Sequence, residues 1–151
     1  HGAIGAEFLK WIDAFTQGAP VDAFVIEREM RVGAVPMSHD AHRVLIGLVF
    51  LAEAVAELRG ARKVMLVDAQ AARKHFLGQR TFQAEKNLEN GKVTPSRTVA
   101  KNAVMARCRM LGLEPKDHDA ADAVACWFYG AGQVNPRMAH ATTPLFGGGN
   151  G

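Results

Sequence analysis

The chain has 151 residues, the length of one ordinary domain. Its residues are 48% hydrophobic and 22% charged, which supplies a core and excludes a chain kept disordered by its composition. A net charge of +3 excludes a polybasic tail or an acidic solvating protein, and the longest apolar run, residues 44–52, falls well short of the roughly 20 residues that a membrane span needs.

The first predicted element is an amphipathic helix over residues 4–15, with Ile4, Phe8, Trp11, Ile12 and Phe15 at helical spacing. Gly18, Ala19 and Pro20 end it. Residues 21–29 contain Val21, Phe24, Val25 and Ile26 and read as a buried strand. A loop over 33–39 leads to a long helix over 40–58, capped by Asp40 and stopped by Gly60. A second buried strand follows over 63–67. Residues 69–77 form a short helix broken by Gly78. The polar, basic stretch 79–95 has no clear period and reads as a mobile loop. Thr94 or Ser96 starts the next helix, Gly112 ends it, and the last helix spans about 119–129. The glycines from 147 onward mark a flexible tail over 143–151, so the expected organisation is one domain over 1–142 followed by that tail.

Strands alternating with helices favour an α/β layer with parallel pairing. Two strands make a poor sheet, which points to further strands upstream of His1. Cys108 and Cys126 form no C-x-x-C pair. They read as small buried hydrophobes in a reducing compartment, so a cytoplasmic protein is expected.

Charge is distributed unevenly. Residues 59–109 hold twelve bases and three acids, a net of +9, and the remainder holds six bases and twelve acids, a net of −6. A basic middle segment points to a polyanion partner, with a solvated surface as the plainer reading.

Three of the acids form a candidate site. Glu27 ends the first strand. Asp119 and Asp122 open an alanine-rich helix at i, i+3 spacing, which places them on one helix face. A strand-end carboxylate and a helical carboxylate pair make a set of hard oxygen ligands for divalent cations. Two such ions activate water and stabilise the leaving oxygen in phosphodiester cleavage. Taken singly, Asp117 and Asp119 read as ordinary N-terminal cap and first-turn residues. Glu29, two residues on, is an alternative to Glu27, and His118 is either a surface residue or a reserve ligand.

The strand Phe24-Val25-Ile26-Glu27, and the run from Lys101 through Leu111-Gly112-Leu113 to Asp119-Ala120-Ala121-Asp122-Ala123, resemble the pattern of RuvC-type Holliday junction resolvases. The resemblance covers residues 7–130 in element order. It implies a ribonuclease H-like fold: an α/β mixed sheet flanked by helices. It implies a homodimer that cuts four-way DNA junctions with two magnesium (or manganese) ions, in a bacterial or phage-infected cell. Glu27, Asp119 and Asp122 would then be the metal ligands, with His118 in reserve. Lys101 would stand near the scissile phosphate, and Arg73 and Lys74 would contact DNA. The dimer contact would use the helix over 40–58. The family's first catalytic Asp lies on the opening strand of a β-meander, and no such strand occurs here. The meander is therefore expected upstream of His1, unless the chain is an inactive relative. The rival readings are a related nuclease acting on flaps or RNA–DNA hybrids, a DNA-binding module without catalysis, and an unrelated α/β domain whose acids are caps.

Overall fold

A computed structural model describes residues 2–17, 19–28, 38–78, 82–86 and 91–138. The described residues form a mixed α/β structure in two compact units, His1–Val67 and Asp68–Gly151.

The first unit holds helix α1 (Gly2–Thr16), strand β1 (Ala23–Glu27), helix α2 (His39–Leu58) and strand β2 (Lys63–Val67). The strands pair in parallel, from Ala23 opposite Lys63 to Glu27 opposite Val67. A parallel pair needs a crossover rather than a hairpin, and α2 is the helix in that connection. The pairing carries on past the strand end, where the Arg28 amide donates to the Val67 carbonyl at 2.8 Å. At the other end the Arg62 amide donates to the Asp22 carbonyl at 3.0 Å. The buried positions are Ile12, Ala52, Val55, Ala56 and Val67. Helix α1 packs on α2 at Gly5, where an added Cβ would stand 3.0 Å from Leu51 Cδ1. Of the five apolar residues that marked α1, only Ile12 is buried; Trp11 and Phe15 lie on the surface, stacked at 5.4 Å.

The start of α2 corrects one expectation. The cap is Ser38, whose Oγ accepts from the Ala41 amide at 3.2 Å, and Asp40 stands in the first turn. Both residues suit a helix start, one by accepting an amide hydrogen and the other by facing the positive end of the helix dipole. The expected stop at Gly60 is present, with φ at +66°. The expected loop over 33–39 falls mostly outside the described residues, as does Glu29.

The second unit holds helix α3 (Ala69–Leu77), strands β3 (Glu85–Lys86) and β4 (Val93–Thr94), helix α4 (Ser96–Met110) and helix α5 (His118–Val134). Asp68 caps α3, accepting from the amides of Gln70 and Ala71, and Gly78 closes it in the left-handed conformation. The stretch expected to be a loop contains the antiparallel pair β3–β4. Two-residue strands are too short to leave a period in the sequence. Helix α5 runs five residues past its expected end at 129, and Gly130 and Gly132 are both buried within it. The 143–151 tail lies outside the described residues.

Helix α5 packs against both α3 and α4. Its buried residues Ala121, Ala125 and Cys126 are small, and they face a helix layer containing Ala72, Phe76, Ala100, Val104 and Cys108. Small side chains at a helix contact let the axes approach closely. Phe76 and Phe128 fill the remaining space with ring centroids 5.0 Å apart.

Candidate active site

Glu27 is exposed at the C-terminal end of β1, in the first unit. The other named residues gather in the second unit, around the N-terminus of α5. Asp117 caps that helix: its Oδ1 accepts from the Ala120 amide at 2.7 Å. Asp119 and Asp122 follow at i, i+3, but their environments differ sharply. The Asp119 side chain is 92% exposed and that of Asp122 is 7% exposed. Lys101, on α4, reaches both. Its Nζ lies 3.2 Å from Asp119 Oδ1 and 4.0 Å from Asp122 Oδ2. One residue along α4, Asn102 Oδ1 lies 3.2 Å from His118 Nε2.

Asp122 has a second cationic partner. Arg73 on α3 grips it with two parallel bonds, Nε to Oδ1 at 2.8 Å and one terminal nitrogen to Oδ2 at 2.5 Å. This is the fork geometry that makes arginine–carboxylate pairs both strong and directional. Both side chains are buried. The pair therefore joins α3 to α5 beneath the Lys101–Asp119 contact. Expected from the resemblance to contact DNA, Arg73 is instead buried against Asp122. A signal for it was present: Arg73 sits beside Ala72 and three residues before Phe76, and both of those face α5 and α4. Lys74, one residue on, is exposed.

The field of Asp122 extends to Cys108 on α4. Burial pushes the Cys108 thiol above its ordinary pKa, and the negative charge of Asp122 pushes it further in the same direction.

These residues set what the site can hold. Asp119 is exposed, with one oxygen paired to the Lys101 ammonium. Asp122 has both oxygens hydrogen-bonded to the buried Arg73. Among the described residues, no group of three or more His, Cys, Asp or Glu side chains is placed to hold a metal ion. Among the same residues, no helix is long and apolar enough to cross a membrane.

The chain matches no protein-family model, no curated protein and no solved structure.

Proposed function

We propose that this chain belongs to a ribonuclease H-like, RuvC-type nuclease that cuts four-way DNA junctions. The observation that carries the reading is the meeting of Lys101 with Asp119 and Asp122. Lys101 lies 18 residues before Asp119 in the chain, yet the packing of α4 on α5 brings its ammonium to 3.2 Å from that carboxylate. The resemblance names these three residues for one site. The parallel β1–β2 pair, with Glu27 at its C-terminal end, agrees with the expected element order. Glu27 joins the ligand set on the resemblance alone.

Each residue then has a task. Asp119 and Asp122 hold the oxygen ligands on one face of α5. Lys101 places a positive charge next to them, where it stabilises charge building on a scissile phosphate. Lys74, Lys86, Lys92, Arg97 and Arg109 are exposed in the same unit and supply contacts to the phosphate backbone. Two magnesium or manganese ions, when bound, supply water activation and neutralise charge on the phosphate.

A homodimer is part of the proposal, and α2 supports it. At 100° per residue, Gly47, Phe50, Ala54 and Leu58 form one stripe on the side of the helix opposite the buried Ala52, Val55 and Ala56. Phe50 is 67% and Leu58 86% exposed. Nothing lies within 4 Å of a Cβ added at Gly47. Such a stripe of small and large apolar residues suits the close approach of a second copy of the helix.

A second reading, a DNA-binding module without catalysis, draws on the Arg73–Asp122 pair, which is charge-balanced without any metal. One experiment separates the two: binding and cleavage of a four-way junction by the full-length protein and by Asp122→Asn. The nuclease reading expects wild-type cleavage in Mg2+ that Asp122→Asn abolishes while junction binding persists. Binding with no cleavage by either protein favours the module.

A further inference from the structure

We propose that Trp127 is a stacking platform for an unpaired base of the DNA, set two turns along α5 from the carboxylate that Lys101 holds. This rests on the nuclease reading above and adds the feature of branched DNA that the protein recognises.

The starting observation is an exposed aromatic side chain on the helix that carries the candidate site. Asp119, Ala123 and Trp127 follow one another at four-residue spacing, and all three are exposed. Successive turns of one helix face therefore lead from Asp119 to Trp127, over about 12 Å of axis. Trp127 is 55% exposed, so much of its ring lacks the burial that aromatic side chains usually find. The ring is braced from behind. Phe128 meets it edge to face with ring centroids 4.9 Å apart, and Phe128 in turn lies 5.0 Å from the buried Phe76. This aromatic chain runs from the surface to the core. The indole is thus held in place beforehand and loses little freedom when a flat ligand covers it.

The charge of the unit selects the partner. Residues 68–151 hold eleven bases and seven acids, a net of +4, while residues 1–67 hold seven bases and eight acids, a net of −1. A polyanion is therefore drawn to the unit that carries Trp127. Its exposed bases contact phosphates, but a phosphate contact does not distinguish paired from branched DNA. An aromatic face does. A base inside a duplex has both faces covered by its neighbours, and a base released from pairing offers a face to stack on. A basic surface joined to an aromatic platform is the combination that holds unpaired nucleic acid. The spacing fixes where that base lies. At about 3.4 Å per nucleotide of stacked strand, the platform reaches a base about three to four nucleotides from a phosphate placed over Lys101 and Asp119. Trp11, the second of the two tryptophans, belongs to the unit of net negative charge, and Phe15 already covers one face of its ring.

The test is binding of labelled DNA to the full-length protein in EDTA, where no cleavage intervenes, with Trp127→Ala and Trp127→Tyr beside wild type. The probes are a four-way junction with unpaired nucleotides at its branch point and a fully paired duplex of equal length. Trp127→Ala should weaken junction binding at least about fivefold, the low end for one base–aromatic stack, and leave duplex binding unchanged. Trp127→Tyr should restore most of the loss. The dependence of affinity on salt should keep its slope, because no cation is removed. Indole emission should fall when the junction is added to wild type and hold steady in Trp127→Tyr, which keeps only Trp11. Salt-dependent binding of both probes that Trp127→Ala leaves unchanged would overturn the stacking and leave the nuclease reading intact. Binding of neither probe would remove the DNA reading, and the stacking with it. A change of association state in sedimentation of Trp127→Ala, with junction affinity unaltered, would assign the ring to a protein contact and overturn the proposal equally.

Discussion

Replacing Arg73 with Met removes the guanidinium and keeps most of the stem. In the folded chain the Arg73 and Asp122 side chains are 10% and 7% exposed, so the substitution leaves a buried carboxylate without its main partner. Breaking a buried pair on one side costs about 3–5 kcal/mol. Lys101 at 4.0 Å compensates part of the exposed charge, which places Arg73→Met near the lower end of that range. Against a total stability of about 5–15 kcal/mol for a domain, such a loss is large. The double variant Arg73→Met, Asp122→Leu replaces both charges with apolar groups of similar size. It should return to within about 1 kcal/mol of wild type or exceed it, since buried pairs are often no better than well-packed hydrophobes. Urea unfolding followed by circular dichroism, on wild type, Arg73→Met, Asp122→Leu and the double variant, gives the full cycle. The double variant should be far more stable than the sum of the single losses allows. Single variants that each cost less than about 1 kcal/mol, and add, would show an ordinary surface pair and refute it.

Two further outcomes follow from the same geometry. The folded Cys108 thiol has a raised pKa, from burial first and the charge of Asp122 second, so the folded chain holds this proton where the unfolded chain releases it. The associated stability is full below the unfolded thiol value of about 9 and is lost as pH rises through the folded value. Wild type should therefore lose stability more steeply than Cys108→Ala above about pH 9 in urea melts; parallel pH profiles would contradict this. On α2, Phe50→Glu places a charge in the exposed stripe and should convert a dimer to a monomer in sedimentation, with helicity unchanged. An unaltered association state would remove this stripe from the interface.

Much of the fold was legible because it rests on local signals. Lys63–Val67 is a short β-branched and apolar run, legible as a strand though not buried as expected, since only Val67 is buried and Leu66 is exposed; α3 lies between a capping Asp68 and a left-handed Gly78. Those residues act through local backbone preferences. The pair β3–β4 was not legible, because two residues carry no period. Trp11 and Phe15 were legible as helical but not as exposed, since spacing reports a shared face and says nothing about what covers it. At the site, the i, i+3 placement of Asp119 and Asp122 was readable from spacing alone. Their contrast in exposure was not, because it depends on α3 delivering Arg73 from 49 residues away. An arginine in a basic segment reads as a surface charge, and only the packing of Ala72 and Phe76 on either side turns it inward.

The proposed activity is metal-dependent cleavage of four-way DNA junctions at a site that includes these carboxylates. The direct measurement is cleavage of a labelled four-way junction by the full-length protein in Mg2+, run beside Asp122→Asn and beside flap and RNA–DNA hybrid substrates. The account predicts cuts in the junction by wild type, none by Asp122→Asn, and retained junction binding by both. Cleavage by Asp122→Asn at the wild-type rate would contradict it.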